Sequence, residues 1–396
     1  MVPHLTTALT GPLLELERKF LASSPQIEHW LRGQWQEHTP PFYSSCDLRN
    51  SGFKLAPVDT NLYPGGFNNL NPAFLPLCVQ AAMSAIEKFC PDARSLLLIP
   101  ENHTRNQFYL QNVAQLVDIL RQTGLNIRLG SMLPEIDKPT PIDLPNGRQL
   151  LLEPLVRTGN RLGVAGFEPC AVLLNNDLSA GIPDILKNLH DQVVLPPLHA
   201  GWAVRRKSNH FAAYDQVAND FAKEIGIDPW RINPAFSVCR SINFHERQGE
   251  ECLAANVAAV LDIVRDKYKE YGINETPYVV VKEGLEVSEV LIQEGVHSFE
   301  TVNDAVAEPV IYMIDRYVTG GFYRVHTGRG KDENLNAPGM HFEPLAFETG
   351  CNLPDYRCGN PDSPPNRFYA YGVVGRLACL AAAVELERTA PDDGQA

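Results

Sequence analysis

The feature that most restricts the fold is a short apolar strand that ends in a polar loop and leads into a helix. Ser95–Ile99 is the predicted strand, residues 100–105 (PENHTR) form the loop, and a helix is predicted over about Gln107–Thr123. Ala171–Leu174 and Gln192–Leu195 repeat the strand followed by a polar loop. This order predicts an α/β layered sheet, and polar loops at the strand ends of such sheets commonly contact ligands.

The rest of the chain divides into segments of different predicted secondary structure. Helical periodicity predicts helices in the first forty residues and over Leu75–Phe89, Phe211–Ile225, Glu250–Tyr271 and Phe368–Glu387. A loop rich in Asn, Pro and Gly is predicted over Arg49–Pro72, and strand-like runs such as EPVIYMID dominate from Tyr278 on. We expect an N-terminal αβ substrate-binding region (1–135), a central αβ region (136–275) and a nucleotide-binding region (276–396).

Composition excludes several classes of protein. The 396 residues are 44% hydrophobic and 20% charged, which is typical of a globular enzyme with a large core. A net charge of −13 argues against a general nucleic-acid binder. No apolar run reaches the roughly 18 residues that a membrane span needs. Nine cysteines without CxxC pairs favour reduced thiols in a cytoplasmic protein.

The window Asp315–Gly339 (DRYVTGGFYRVHTGRGKDENLNAPG) has the chemistry of a triphosphate site. Arg316 and Arg324 can each bind phosphate or carboxylate oxygens through two parallel hydrogen bonds, so we predict that both act in catalysis. Hard oxygen ligands suited to Mg²⁺ come from Asp315, Glu333 and Asn336, with Glu343 as a substitute. The alternatives are a hinge ion pair for Asp315 and Arg316, and turn chemistry for the Asn-rich end.

Two strands before this window carry candidate nucleotide contacts. Lys282 closes the run YVVVK and can reach a phosphate, whereas the run EVLIQEGV can present backbone groups to an adenine edge. The predicted nucleotide-binding residues are Lys282, Gln293, Glu294, Val296, Glu300, which can hold ribose hydroxyls, and Asn334. Taken alone, Lys282 fits a solvated strand end better than a phosphate contact, and Glu300 fits a surface position better than a ribose contact.

The loop 58–70 (VDTNLYPGGFNNL) is the second strong signal, because a Pro-Gly-Gly turn lets the backbone approach a ligand. Asp59, Asn61 and Asn68 supply acid and amide oxygens for an ammonium group, and Arg49 and Arg105 supply cations for a carboxylate. Glu101 and His103 accompany Arg105 at the end of the predicted strand. Arg205 belongs to a basic set that can hold a phosphorylated or dicarboxylate group. A capped Asx-rich loop and a solvated basic turn are the alternatives.

Taken together, these segments resemble the proteobacterial type of glutamate–cysteine ligase. The resemblance runs from about Tyr43 to Glu387 and includes VDTNLYPGGFNNLNPAF, PENHTRNQFY, PPLHAGWAVRRKSNHF, EGLEVSEVLIQEGV, MIDRYVTGGFYRVH and ENLNAPGMHFEPLAF. It implies an ATP-grasp-like C-terminal half that uses ATP and Mg²⁺ to join the γ-carboxylate of L-glutamate to the amine of L-cysteine through an acyl phosphate. The implied partners are these small molecules, without nucleic acid or membrane, and the oligomeric state is left open.

The sequence departs from this family at one place. ATP-grasp enzymes carry a glycine-rich loop over the phosphates after the lysine-bearing strand, but here Lys282 continues directly into Glu283-Gly284-Leu285. One hypothesis is that a mobile stretch is missing between Val281 and Glu283, with a break in the chain there. The alternative to a missing stretch is a homologue without a lid. The alternative functions are another ATP-grasp ligase of the glutathione synthetase kind and a non-catalytic amino-acid or nucleotide sensor.

Overall fold

A computed structural model describes residues 5–6, 11–240, 246–283, 289–345 and 367–391 of the chain. The helices in this part are α1 (Pro12–Ala22), α2 (Ser24–Glu37), α3 (Leu75–Phe89), α4 (Gln107–Gln122), α5 (Lys207–Ile225), α6 (Arg247–Glu270) and α7 (Arg367–Thr389). The strands are β1 (Leu5–Thr6), β2 (Tyr43–Asn50), β3 (Leu55–Asn61), β4 (Ser95–Pro100), β5 (Asn126–Ser131), β6 (Thr140–Asp143), β7 (Gln149–Thr158), β8 (Arg161–Val164), β9 (Ala171–Asn175), β10 (Val193–Leu195), β11 (Phe236–Arg240), β12 (Val279–Glu283), β13 (Glu289–Glu294), β14 (Thr301–Val302), β15 (Ala305–Ile314), β16 (Tyr317–His326) and β17 (His341–Pro344). The predicted α/β class is therefore confirmed.

A mostly parallel sheet has the order β10-β9-β4-β5-β7-β6, with β8 also paired to β7, and its β6–β7 and β7–β8 pairs are antiparallel. Leu96 and Leu98 of β4 pack with residues of α3 and α4, and Leu97 and Ile99 join the core on the other face. Both faces are covered, as parallel strands require. Since the chain continues from β4 to β5 on one side and later adds β9 on the other, the topological switch point lies between β4 and β9.

A second, antiparallel sheet combines strands from both ends of the chain. β15 lies between β16 on one side and β14 and β2 on the other, with β3 beside β2. The prediction of a loop throughout Arg49–Pro72 is therefore wrong, because Leu55–Asn61 forms β3. Pro57 and Asp59 disfavour a strand locally, but pairing with β2 overrides that tendency. The division into three regions stays a prediction, although its first and last regions share this sheet.

A third sheet, β11-β13-β12, packs against α6 through a core that contains Trp230 and Ile292. β12 is a continuous strand in which Lys282 pairs with Leu291 and Glu283 pairs with Val290. The expected break between Val281 and Glu283 is therefore absent, and the following residues 284–288 lie outside the described part.

Helix α7 confirms the predicted C-terminal helix. By length and composition it could cross a membrane, yet 89% of its most apolar window is buried inside the protein. It packs against α5 and the antiparallel sheet. We interpret it as the central helix of the core, where its apolar sequence is satisfied by packing.

Candidate functional site

A cavity of about 320 Å³ opens on the face of the antiparallel sheet opposite α7. It is lined by Ser45, Asp47, Asp59, Asn61, Gly65, Gly66, Asn68, Asn69, Phe108, Tyr109, Asn112, Trp202, Val310, Tyr312, Phe322, Arg324, Asn336, Met340 and Phe342. We call it the sheet cavity. It unites predicted residues from both ends of the chain, namely Asp59, Asn61, Asn68, Arg324 and Asn336. Its lining combines acidic and amide side chains with apolar ones.

Strand periodicity explains why these side chains meet. Asp47 of β2 is the register partner of Asp59 of β3, and Asn61 lies two residues further along β3, on the same face. On the neighbouring strands, Glu308 of β15 is paired with Arg324 of β16. Asp47 and Glu308 were not among the predicted site residues. A signal was available for Asp47: it stands two residues before Arg49, a spacing that puts Asp47 and Arg49 on one face of a strand.

Arg324 is fixed between two carboxylates. Its Nη1 donates to Asp47 Oδ2 at 2.7 Å and to Glu308 Oε1 at 2.6 Å. Burial opposes its charge, but Asp47 and Glu308 raise the pKa of Arg324 above its ordinary value, so it stays a cation. Its Nε–H is buried without a partner among the described residues. An anionic ligand in the sheet cavity can satisfy that donor.

Lys282 links Gln293 of β13 to strand β3, next to Asp59 of the sheet cavity. Lys282 Nζ donates to the Val58 carbonyl at 2.5 Å and to Gln293 Oε1 at 2.7 Å. Burial lowers the pKa of Lys282 to about 8. Gln293 Nε2 is buried without a partner among the described residues. Asp59 forms an ion pair with Lys207 at 2.7 Å; removal from solvent opposes its ionisation, but Lys207 and Lys282 hold the pKa of Asp59 below its ordinary value.

Arg49 and Val296 are engaged in an internal network. Arg49 donates from Nε to Glu308 Oε2 at 3.2 Å, and from Nη1 to the Tyr278 hydroxyl at 3.1 Å and the Val296 carbonyl at 3.0 Å. Its Nη2 donates to the Glu333 carbonyl. The guanidinium thus connects the antiparallel sheet to the segment that follows β13. Because these bonds occupy each of its nitrogens, Arg49 holds Glu308 and neighbouring backbone in place and does not line the sheet cavity.

Two predicted nucleotide contacts have carboxylates buried among protein groups. Glu294 Oε2 accepts from Lys54 Nζ at 2.7 Å and from Trp230 Nε1 at 3.1 Å. Glu300 is fully buried and accepts from the Tyr371 hydroxyl at 2.5 Å. The structure thus places both carboxylates in the protein core, away from the lining of the sheet cavity.

Asp315 and Arg316 lie at the opposite end of the β15–β16 hairpin from Arg324. Asp315 is in the left-handed region (φ 52°) and forms an ion pair with Lys88 at 3.3 Å. Arg316 lines a separate cavity of about 510 Å³ together with Arg376. Along β16, Arg316 and Arg324 are on the order of 25 Å apart. The two predicted catalytic arginines are therefore not brought together.

The other predicted metal ligands are also dispersed. Glu333 is half exposed and pairs with Arg329 at 2.8 Å, and the backbone N–H of Asn336 donates to Asn334 Oδ1 at 2.9 Å in an Asx turn. Glu343 lies on β17, 3.9 Å from His341. Only Asn336 of this set lines the sheet cavity. Among the described residues, no group of three or more His, Cys, Asp and Glu side chains is placed to hold a metal.

Of the remaining predicted substrate residues, Arg105 is exposed and Arg205 is nearly buried. Arg205 donates from Nε and Nη2 to the two carboxylate oxygens of Glu385 at 2.9 and 2.8 Å, and from Nη1 to the Thr60 carbonyl at 2.7 Å. His210 Nδ1 lies 3.0 Å from the same carboxylate. Arg205 therefore ties α5 and β3 to α7 and does not point at the sheet cavity with a free guanidinium.

This buried carboxylate predicts a loss of stability in acid. Burial alone would raise the pKa of Glu385, but Arg205 and His210 lower it from 4.5 to about 2. Because its pKa is lowered, the Glu385 carboxylate stabilises the fold fully above pH 4.5, and this contribution is lost as the pH falls towards 2. We expect urea midpoints to show that Glu385→Gln removes roughly 3 kcal/mol of this pH dependence. Glu387→Gln, which changes a half-exposed neighbour, should leave the pH dependence as in the parent protein; equal curves for both variants would contradict the assignment.

Comparison with known proteins identifies the family. The family profile described as "Glutamate-cysteine ligase" matches residues 17–284 and 280–386, two stretches that meet at β12. A crystal structure from Methylobacillus flagellatus KT, provisionally described as a γ-glutamylcysteine synthetase, is 61% identical over 98% of this chain and 99% of its own, with a TM-score of 0.90. A glutathione synthetase-like effector from Globodera pallida is 11% identical over 79% of this chain and 77% of its own; its TM-score of 0.38 is too low for any argument. Comparison with curated proteins gave no match. By its family profile and by its identity with the Methylobacillus protein, the chain belongs to the glutamate–cysteine ligase family.

Proposed function

We propose that the protein uses ATP and Mg²⁺ to join the γ-carboxylate of L-glutamate to the amine of L-cysteine through an acyl phosphate. Family membership supports the reaction, and the sheet cavity supports its location. The observation that carries the proposal is the meeting of Arg324 with Asp47, Asp59 and Asn61 at one cavity. A cation beside hard oxygen ligands suits a phosphoryl transfer in which positioning and charge stabilisation supply the catalysis.

The chain offers ligands for a divalent ion at this cavity. Asp47 and Asp59 are cross-strand neighbours, and Asn61 adds an amide oxygen. Carboxylate and amide oxygens are the ligands that Mg²⁺ prefers, and the lowered pKa of Asp59 keeps its carboxylate ionised. We propose these residues as the ion's ligands in place of Asp315 and Glu333. Mg²⁺ bound there would neutralise charge on the phosphates.

On the nucleotide side, we propose Lys282 and Gln293 as contacts. Lys282 donates to the Val58 carbonyl of β3 and to Gln293, whose Nε2 has no partner among the described residues. With a pKa of about 8, Lys282 is largely protonated at neutral pH and can bind a phosphate oxygen. Glu294 and Glu300 are engaged elsewhere, so we assign them a structural part. A cytoplasmic location stays a prediction.

The proposed reaction is tested by ADP release with glutamate plus cysteine. ADP formation that requires both amino acids is expected. Turnover only with a γ-glutamyl dipeptide plus glycine would instead identify a glutathione synthetase-like ligase. Thermal stabilisation by ATP without ADP formation in any mixture would favour a sensor.

The metal ligands are tested by replacing Asp59 with asparagine. We expect the Mg²⁺ concentration for half-maximal ADP release to rise at least about tenfold, because a neutral amide binds a hard cation less strongly than a carboxylate. Asp262→Asn, at an exposed position on α6, is the matched control. An unchanged Mg²⁺ dependence in Asp59→Asn would exclude Asp59 as a ligand.

A further inference from the structure

A second group of polar side chains lies at the switch point of the parallel sheet. Glu101 follows the last residue of β4, and Asp177 lies just beyond the end of β9. Sheets of this type bind ligands outside the carboxyl ends of their strands at the switch point. We call the space around Tyr63, Glu101, His103 and Asp177 the switch-point cleft.

The switch-point cleft adjoins the sheet cavity. The Tyr109 hydroxyl accepts from the Glu101 backbone N–H at 2.9 Å and donates to the Asn175 carbonyl at 2.7 Å. The Trp202 backbone N–H donates to the Asp177 carbonyl at 2.7 Å. Tyr109 and Trp202 also line the sheet cavity. A ligand in the cleft is thus one side chain away from the proposed phosphoryl-transfer site.

Buried polar atoms without partners point to a ligand in the cleft. Tyr63 is only 5% exposed, and its hydroxyl has no hydrogen-bond partner among the described residues. The Arg205 guanidinium and the carboxylates of Asp177 and Glu101 all act electrostatically on that hydroxyl, which places it near these three groups. His103 Nδ1 and Gln107 Oε1 are likewise buried without partners in the described part. Such groups are costly unless a ligand or water satisfies them.

The surroundings of Glu101 also suit proton transfer. Burial, opposed by the Asp177 backbone N–H and reinforced by the Asp177 charge, raises the pKa of Glu101 to about 7. The other titratable groups that act on it are Tyr43 of β2, Tyr63 after β3 and Tyr109 of α4. Among the described residues, no cation acts on its carboxylate to favour the ionised form. A base with a pKa near the working pH is the most effective.

We propose that the switch-point cleft binds the ammonium end of the amine substrate, and that Glu101 accepts the proton which this group must lose before it attacks the acyl phosphate. The inference rests on the ligase function proposed above. Asp177 supplies a second negative charge for the ammonium ion, and the Tyr63 hydroxyl supplies a hydrogen bond.

The steps balance without another reactant. The Glu101 carboxylate takes one proton from the ammonium group and becomes a carboxylic acid, leaving a neutral amine. The amine lone pair forms the C–N bond at the acyl carbon, and the C–O bond to phosphate breaks with its electron pair on the phosphate. The departing phosphate takes the second proton from nitrogen, and Glu101 then returns its proton to solvent.

The test compares two nucleophiles in Glu101→Gln. Glutamine can still accept the hydrogen bond that Asp177 N–H donates to Glu101 Oε1 at 2.8 Å, so the local fold is retained. With cysteine we expect turnover to fall at least about 100-fold, the size of a lost general base. Hydroxylamine, which is already neutral at pH 7, needs no base; its trapping of the acyl phosphate as a hydroxamate should stay within about twofold of the parent rate.

A pH profile supplies an independent readout. In the parent protein kcat/KM for cysteine should rise with pH through about 7, where Glu101 loses its proton, and Glu101→Gln should lack this inflection. Glu135→Gln, an exposed carboxylate beyond β5, is the control and should match the parent in both assays. Glu101→Asp, which keeps the carboxylate, should show a smaller loss that is again confined to cysteine.

The outcomes separate the two proposals. Unchanged cysteine turnover in Glu101→Gln, or equal losses with both nucleophiles, would overturn the role of Glu101. The ligase function would still be supported if the parent enzyme forms hydroxamate. A parent protein that forms neither ADP nor hydroxamate would overturn the ligase function and this inference with it.

Discussion

Replacing Arg324 with alanine is expected to lower ADP release with glutamate plus cysteine by at least about 100-fold, since loss of one preorganised donor to a developing anion has this effect. Arg324 is a cation that lines the sheet cavity, and its Nε–H, which has no partner among the described residues, is available to a phosphoryl or acyl-phosphate oxygen. The measurement is steady-state ADP release at saturating substrates.

The same change should also destabilise the fold, because it leaves Asp47 and Glu308 without the guanidinium between them. Removing one partner from a buried ion pair costs about 3–5 kcal/mol. Arg324→Lys therefore serves as a second variant, because it keeps the charge but loses the planar donor geometry. We expect it to lose more activity than its loss of stability explains.

Arg329→Ala is the matched control, because Arg329 is half exposed and its partner Glu333 is also near the surface. We expect its turnover to stay within about twofold of the parent, as exposed ion pairs contribute little. An Arg324→Ala protein that is folded and turns over at the parent rate would remove Arg324 from the site.

Replacing Glu294 with alanine is expected to lower the free energy of unfolding by about 3–5 kcal/mol. The Glu294 and Lys54 side chains are only 1% and 0% exposed, and Lys54 also lies 4.3 Å from the centroid of the Trp230 ring. Without Glu294, the Lys54 ammonium group would be buried with its charge uncompensated. Urea unfolding followed by tryptophan fluorescence gives the measurement.

Two further variants separate charge burial from lost packing. The double change Lys54→Met and Glu294→Leu removes both charges and should recover much of the stability, since apolar replacements of buried ion pairs are often neutral. Lys331→Ala removes a half-exposed pair with Glu275 and should cost less than about 1 kcal/mol. If Glu294→Ala were as mild as Lys331→Ala, the pair would not be a main support of the fold.

Much could be predicted from the sequence because the signals were local. Leu75–Phe89 was predicted with the observed bounds of α3, and the Ser95–Ile99 strand with its following helix was placed within a residue or so. Apolar periodicity of this kind depends only on neighbours along the chain. The motifs that resemble glutamate–cysteine ligase are also local, so the family could be inferred before the fold was known.

The site depended on distant pairing. Asp315, Arg316 and Arg324 are close in sequence, but a hairpin carries Arg316 away from Arg324, and β2 from the beginning of the chain brings Asp47 to Arg324 instead. Strand register decides which residues face one another, and no local pattern specifies a partner more than 250 residues away. The sequence by itself determined the fold class, the family and most helices, because local periodicity and motif chemistry carry them. Only the tertiary structure decided which acids accompany Arg324 and that Asp177 lies next to Glu101, because both depend on contacts between strands remote in the chain.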